Sequence, residues 1–136
     1  MDALIAENPP LLLDALKLVL KKTQKFGNIH LASTGEAVLS IYARHRPGFV
    51  LLSYDLPDIG GVHVTKEVLA INRAVRILII SSQLNQAIVL TIHQHPAIYG
   101  FLLNSELSMK SVKATIGQIL DGTKCFSSKY QQLLQK

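Results

Sequence analysis

Three side chains that can take part in chemistry stand where apolar segments of the sequence end. They are Glu7, Ser53 and Ser81. Open sheets of parallel strands place their working site at the carboxyl ends of the central strands, so we expect these three side chains to converge. A carboxylate there could hold a cation, and a hydroxyl could act as a nucleophile. The sequence therefore predicts a polar site at one edge of an apolar sheet.

Ser53 is the first candidate for a nucleophile, but its surroundings do not favour that role. No histidine is placed to activate the hydroxyl, and the Gly-x-Ser-x-Gly pattern is absent around it. We interpret Ser53 as a structural residue whose hydroxyl bonds to neighbouring backbone or to Asn104. A nucleophilic or phosphorylated serine is the alternative.

The other residues that commonly bind metals give no recognisable site. The histidines show no His-Glu-x-x-His motif, and His93 and His95 are expected to diverge at a helix end. We interpret the histidines as surface or capping residues. The single cysteine, Cys125, cannot form an internal disulfide, which agrees with a reducing compartment. An unreactive thiol is the favoured interpretation, and a redox role is the alternative.

Short apolar runs alternate with longer amphipathic stretches, the pattern of repeated strand-helix units and a parallel sheet. The first helix should follow Pro10, which suits a first turn, and should end at Gly27. We expect strands near 2–6, 28–32, 48–53, 76–81 and 99–103. Thr34 and Glu36 should open the second helix. The third, fourth and fifth helices should cover 62–70, 85–93 and 108–121, and a short tail helix should begin at Ser127.

Length and composition indicate one domain. A chain of 136 residues with 49% apolar content can bury one core and has no room for a second. Its apolar runs are shorter than the roughly 20 residues of a membrane span. The N-terminus carries Glu7 and two prolines where a signal peptide would have a basic end and an apolar run. We expect a cytoplasmic protein with no membrane partner.

The net charge of +5 and the pI near 9.5 raise the question of nucleic-acid binding. The basic residues are spread along the chain, with no run and no interleaved aromatic residues. We therefore expect a solvated basic surface and no nucleic-acid binding by this domain alone. Lys17, Lys21 and Lys25 lie at helical spacing, so a small patch on the first helix is the alternative.

Several segments together resemble the bacterial response-regulator receiver family. Residues 49–61 are similar to its third strand and following loop, in which an aspartate four residues before a proline accepts a phosphoryl group. Five further segments match its other landmarks in order: 3–16, 29–37, 77–82, 100–104, and 119–122 with Phe126 and Ser127. The last of these looks like receivers that precede a LuxR-type helix-turn-helix domain. The resemblance covers about 120 residues, which is nearly the whole chain.

The resemblance implies an α/β fold with a doubly wound, five-stranded parallel sheet in the order 2-1-3-4-5, the flavodoxin-like three-layer sandwich. It places a receiver-like domain at 1–122 and a tail or linker helix at 123–136. It also assigns roles to single positions. Glu7 and Asn8 stand for the acidic pair, Ser53 for the phosphoacceptor, Asn104 for the lysine, and Ser81 and Phe101 for the switch residues.

Three of these positions lack the residue that phosphoryl transfer needs. Magnesium prefers charged oxygens, and only one of the usual carboxylates remains. A buried lysine without its aspartate would be an uncompensated charge, so the joint loss at Ser53 and Asn104 is consistent. We expect magnesium binding to be weak or absent and no other cofactor. We also expect the site to be rebuilt as a neutral hydrogen-bond network with one locked state.

The favoured function is a non-enzymatic signalling module that acts by protein contact or by dimerisation, in transcriptional regulation. The resemblance places the contact on the face of the fourth helix, fifth strand and fifth helix, with His93, Lys110, Lys113 and Gly117. One alternative is a phosphorelay receiver that uses Asp55 or Asp58 as acceptor. Another is a nucleotide- or flavin-binding protein, although Glu7 to Pro10 replace the glycine-rich turn this would need.

Overall fold

The computed structural model describes residues 1–135 and alternates strands with helices, as the sequence predicts. Its strands are β1 (Ala3–Ala6), β2 (Ile29–Ala32), β3 (Phe49–Ser53), β4 (Arg76–Ser81), β5 (Ile98–Leu103) and β6 (Cys125–Phe126). Its α-helices are α1 (Pro10–Thr23), α2 (Gly35–His45), α3 (Gly61–Ile71), α4 (Gln86–His93), α5 (Met109–Leu120) and α6 (Ser128–Leu134). A 3₁₀ turn covers Asn104–Glu106.

The strands form one parallel sheet in the order β2-β1-β3-β4-β5-β6. The expected order of the first five strands is confirmed, but the expectation of a five-stranded sheet is wrong. The sixth strand has only two residues, too few to produce a recognisable alternation. It approaches β5 at Gly100, where an added Cβ would lie 2.7 Å from the Cys125 carbonyl oxygen. The glycine therefore permits the close pairing at this edge.

Helices cover both faces of the sheet and divide the core into two layers. On one face, α1 and α5 contribute side chains such as Leu16 and Ile116. On the other face, α2, α3, α4 and α6 contribute side chains such as Val38 and Tyr130. All residues of β1 and β3 are buried, as expected for central strands with helices on both sides.

The helix boundaries agree with the prediction except at the end of α1. Pro10 occupies the first turn, as predicted. The helix ends at Thr23, not at Gly27, because Gln24 adopts the left-handed conformation and its N–H bonds to the Lys21 carbonyl. The Thr23 hydroxyl also donates to the Leu20 carbonyl, 2.7 Å away. A non-glycine residue at this end is why the sequence pattern suggested a later stop.

The C-terminal segment packs into the same core as the rest of the chain. Tyr130 is fully buried and stacks on Phe126 at 4.4 Å between ring centroids. Its hydroxyl lies 3.4 Å from the Val89 carbonyl oxygen of α4. We refer to residues 125–134 as the tail. The predicted tail helix is confirmed, and Lys136 lies outside the described residues.

Across residues 1–135, no helix combines the length and the apolar character needed to cross a membrane.

Candidate functional site

The carboxyl edge of the sheet holds the polar residues that the sequence analysis selected. Glu7 follows β1, Ser53 ends β3 and Ser81 ends β4. All three are buried, with exposed fractions of 3%, 6% and 2%. We call Glu7, Ser53 and Ser81 the carboxyl-edge pocket. Because their strands are adjacent in the sheet, the predicted convergence follows from the strand order.

Glu7 is the one carboxyl group inside this pocket. Burial raises its pKa, and the negative charge of Asp55 acts in the same direction. Hydrogen bonds from the Asn8 backbone and the Ser53 hydroxyl partly offset the rise. The Oε2 atom of Glu7 is buried and has no hydrogen-bond partner. The carboxyl group therefore pays a desolvation cost as an anion and takes up a proton more readily than an exposed glutamate.

The Ser53 hydroxyl interacts with Glu7 and lowers the pKa of its carboxyl group. The sequence predicts neighbouring backbone or Asn104 as the partner of this hydroxyl and does not indicate the glutamate. Asn104 is exposed and opens the 3₁₀ turn, where its carbonyl accepts from the Leu107 N–H at 3.2 Å. In that turn the Glu106 carboxylate accepts from the Leu103 N–H at 2.8 Å. Asn104 therefore belongs to a local turn at the surface.

The two switch positions lie in different surroundings. The Ser81 Oγ accepts from the Gln83 backbone N–H at 3.1 Å, so it supports the turn that follows β4. Phe101 is fully buried, and its ring lies 5.6 Å from the Tyr130 ring of the tail. The tail thus closes the space beside Phe101 on one side.

Asp58 has a structural role that sequence reasoning missed. Its two carboxylate oxygens accept from the backbone N–H groups of Gly35 at 2.7 Å and Glu36 at 3.0 Å. These bonds lower the pKa of Asp58 and cap the N-terminus of α2. The contact joins residues 23 positions apart, so no local capping pattern could have revealed it.

The loop after β3 folds back closely over the end of its own strand. Tyr54 donates its N–H to the Ile80 carbonyl at 2.8 Å, and Gly61 donates to the Tyr54 carbonyl at 3.0 Å. A Cβ at Gly61 would lie 2.7 Å from the Ser53 carbonyl oxygen, so only glycine fits there without rearrangement. Asp55 stays exposed on this loop.

The predicted interaction face is divided by the tail. The outer edge of β5 pairs with β6, and the His93 ring lies 6.4 Å from Phe126 and 6.5 Å from Tyr130. Lys110 and Lys113 are exposed on α5. An added Cβ at Gly117 would meet nothing within 4 Å. The outer edge of β5 is therefore covered by the chain itself, whereas His93 on α4 and the residues on α5 stay open to solvent.

The donor set of the carboxyl-edge pocket does not fit magnesium. Glu7 is its only carboxylate, Asn8 is exposed, and the Ser53 hydroxyl is a neutral ligand. Magnesium sites use carboxylates at close to octahedral geometry. Within residues 1–135, no group of three or more histidine, cysteine, aspartate or glutamate side chains is arranged to hold a metal ion.

Comparison with known proteins decides the family. A model of the response regulator receiver domain matches residues 3–103, which is most of the chain. This chain belongs to the response regulator receiver family. The α/β fold and the order of the first five strands agree with this family.

Individual relatives support the same family. The chain is 29% identical over 112 residues to the "Probable transcriptional regulatory protein NarL" of Mycobacterium tuberculosis H37Rv, covering 82% of this chain and 51% of the relative. It therefore spans about half the length of the curated relatives that it matches.

Solved structures show the same fold at low sequence identity. A LuxR-family two-component response regulator from Aurantimonas sp. SI85-9A1 has a TM-score of 0.87 and 20% identity, over 98% of this chain and 94% of that chain. RcsB is also similar, and its source is given as Salmonella typhimurium in one of its structures. Another RcsB structure contains two dimers bound to two parallel DNAs. Its TM-score is 0.87 and its identity 17%, over 100% of this chain and 68% of that chain.

Proposed function

We propose that this chain is a non-enzymatic receiver that signals through protein contact, without phosphorylation at the Ser53 position. The observation that carries the proposal is the burial of Ser53, a neutral hydroxyl side chain, at the end of β3 beside Glu7. An acyl phosphate requires a carboxylate acceptor, and electrostatic stabilisation of the transferred group requires cations in place. Ser53 supplies no carboxylate, and no lysine or arginine lies within 4.0 Å of the Glu7 carboxylate among the described residues. Magnesium binding that is weak or absent is part of the proposal.

The proposal also weighs the two aspartates that could replace the acceptor. Asp58 has both carboxylate oxygens engaged by backbone N–H groups at the start of α2. Attack by one of these oxygens would break the cap. Asp55 is exposed on the loop and has no neighbouring lysine or arginine within 4.0 Å among the described residues. A phosphorelay receiver that uses Asp55 or Asp58 is therefore the second candidate.

Acetyl phosphate with magnesium tests the proposal directly. We expect intact-mass spectrometry to show unmodified protein. Phosphorylation of any acceptor would instead add about 80 Da to the mass. A labile adduct lost in Asp55→Asn but kept in Asp58→Asn would establish the second candidate and overturn the first. The Ser53→Ala variant is the matched control for phosphorylation of the serine itself.

Transcriptional regulation in the cytoplasm is the setting that we propose for this contact. The named relative is a probable transcriptional regulatory protein, and RcsB forms dimers on DNA. The chain spans about half of the relative's length. DNA binding by a longer protein that contains this chain is therefore also a proposal. Dimerisation would use the open part of the predicted face on α5.

The oligomeric state in solution tests that interface. Gly117→Arg places a large cation where an added Cβ meets no neighbour, so the fold should tolerate it. If α5 forms the dimer, sedimentation equilibrium should show a dimer for the parent chain and a monomer for Gly117→Arg. Lys129→Glu on the tail is the control for a surface charge change. A dimer that persists in Gly117→Arg would exclude α5 as the interface.

A further inference from the structure

A groove at the opposite, amino-terminal edge of the sheet is unrelated to the carboxyl-edge pocket. It lies between α3 and the turn that leads into β5 and has a volume of 470 Å³. Leu69, Ala70 and Pro96 supply its apolar lining, which we call the floor, and Lys66 and Arg73 supply its cationic lining, which we call the rim. A second depression of 290 Å³ shares Leu69, Arg73 and Pro96 with it and extends the groove towards Tyr99. We call the two together the basic groove.

The basic groove concentrates positive charge that the sequence shows as dispersed. Lys66 and Arg73 are exposed, and within residues 1–135 neither has a carboxylate within 4.0 Å. Arg76 lines the second depression, where its guanidinium donates to the carbonyls of Ile119 and Leu120 at 2.8 Å. The lining contains no acidic residue. The rim is therefore a cluster of cations whose countercharge has to come from outside the groove.

Tyr99 closes the far end of the groove between two cations. The Arg76 guanidinium lies 5.4 Å from the centre of its ring, and the Lys124 ammonium lies 5.6 Å from it. Both contacts are cation–π interactions. With cations over the ring, Tyr99 does not offer the bare aromatic face on which a nucleic-acid base stacks. This arrangement favours a protein ligand over a single-stranded nucleic acid.

The nearest acidic side chain on the same helix does not neutralise the rim. Glu67 follows Lys66 on α3, but its Oε1 lies 4.0 Å from the His63 Nε2. The positive field also reaches His95, because Lys66 adds to the effect of burial in lowering the pKa of that imidazole. The charge of the groove is thus unbalanced from within the described residues.

From the apolar floor and the cationic rim, we propose that the basic groove binds an acidic peptide segment of a partner protein, with one aliphatic side chain on the floor. The groove is open to solvent, so it suits an extended segment better than a small molecule, which usually needs to be enclosed. Carboxylates on either side of the aliphatic residue would pair with Lys66 and Arg73. Arginine in such a position is a frequent source of binding energy at interfaces.

This proposal stands on the groove alone and adds a contact surface to the proposed function without depending on it. The state of Ser53 does not enter it, since the two sites lie at opposite edges of the sheet. Phosphorylation of the chain would overturn the proposed function and leave this inference intact. Failure of the groove to bind peptide would leave the proposed function intact.

Fluorescence anisotropy with a labelled peptide of glutamates around a central leucine tests the groove. Lys66→Glu combined with Arg73→Glu should weaken binding at least about tenfold, because two attractive pairs become repulsive. Lys22→Glu combined with Lys25→Glu makes the same change in net charge on another surface. This control should change the dissociation constant by about twofold or less, because distant charges are screened by salt.

A third variant separates the groove from general electrostatic attraction. Ala70→Arg adds a cation but fills the floor, and its exposed helical position should accept the side chain. We expect it to weaken peptide binding. Tighter binding by Ala70→Arg, equal loss in the Lys22 and Lys25 control, or no peptide binding at low salt would each overturn the proposal. Equal binding of a labelled oligothymidine with the same variant pattern would assign the groove to nucleic acid instead.

Discussion

The carboxyl-edge pocket and the tail-covered edge of β5 differ in how completely their buried groups are paired. In the pocket, Glu7 Oε2 is buried without a hydrogen-bond partner among the described residues. At the other edge, Tyr130 stacks on Phe126 and places its hydroxyl at the Val89 carbonyl. The pocket therefore lowers the stability of the fold, whereas the tail raises it. This difference separates the carboxyl-edge pocket from the part that holds the chain together.

The largest effect should come from removing the aromatic anchor of the tail. Tyr130→Ala would empty a fully buried site, and we expect the free energy of unfolding to fall by about 3 to 4 kcal/mol. Denaturant unfolding measures this, and Lys129→Ala, at an exposed neighbour, should stay within about 0.5 kcal/mol of the parent. A loss below about 1 kcal/mol for Tyr130→Ala would show that the tail is not part of the cooperative core.

Alkaline pH probes the same residue without a cavity. Burial raises the pKa of Tyr130 to about 12, so the fold favours the neutral phenol. This contribution is fully present below the unfolded pKa near 10 and is lost as the pH rises through about 12. Tyr130→Phe should remove that part of the pH dependence. If both proteins lose stability identically between these values, the phenol is not shielded as the structure shows.

The second effect in size concerns the pocket. Ser53→Asp places a second carboxylate beside the half-paired Glu7, and we expect it to cost about 2 kcal/mol in unfolding free energy. Ser53→Asn is the control, because asparagine is similar in size to aspartate and carries no charge. The triple variant Asn8→Asp, Ser53→Asp, Asn104→Lys should recover part of the loss and gain magnesium binding.

Comparing the single and triple variants with and without magnesium can contradict this prediction. Asn8 and Asn104 are exposed, so their new charges stay solvated while they flank the pocket. Tight magnesium binding and higher stability in Ser53→Asp alone would mean that the pocket has kept more favourable electrostatics than its residues indicate. Equal destabilisation by Ser53→Asn would instead attribute the cost to size.

Most of the fold could be predicted from the sequence, because the apolar strands and their spacing determine it. The strand order and the burial of Ser53 followed from the receiver-like segments. The sixth strand could not be predicted, since Cys125 and Phe126 are too short to give a pattern and depend on Gly100 for their approach. The end of α1 was missed because Gln24, not a glycine, adopts the left-handed conformation.

The site was predicted less completely than the fold. Glu7 and Ser53 were selected from the sequence, but the influence of the Ser53 hydroxyl on the Glu7 pKa was not predicted, because it acts between the ends of two different strands. The cap that Asp58 forms on α2 and the basic groove at Arg73 were not predicted for the same reason. Each depends on side chains distant in sequence that meet only after the sheet has formed.

A third, smaller effect should follow from neutralising Glu7. Glu7→Gln removes a buried charge, and we expect it to raise the unfolding free energy at pH 7 by about 1 kcal/mol. The pKa of Glu7 is raised by burial, so the fold favours the protonated acid. Its contribution is present below the unfolded pKa near 4.3 and is lost as the pH rises through the higher folded value.

The difference between the two proteins should therefore be small near pH 4 and reach its maximum at neutral pH. Asp58, whose pKa is lowered, has the opposite sign and loses its contribution as the pH falls, but it is present in both proteins and cancels. Unfolding midpoints measured across this range test the prediction. A Glu7→Gln protein that is less stable than the parent at pH 7 would mean that the carboxylate is well paired.

The smallest expected effect is that of magnesium on the unmodified chain. A ligand that binds only the native state stabilises it by RT ln(1 + [L]/Kd), so a site with Kd well above the metal concentration adds only a few tenths of a kcal/mol. With Glu7 as the one buried carboxylate and a neutral Ser53, we expect low millimolar magnesium to leave the melting temperature nearly unchanged. Glu7→Gln separates specific from general effects, because it removes the only charged ligand of the pocket. A rise of several degrees in the parent that disappears in Glu7→Gln would show a magnesium site at the carboxyl edge, and the contrast between a poorly paired pocket and a stabilising tail would then fail.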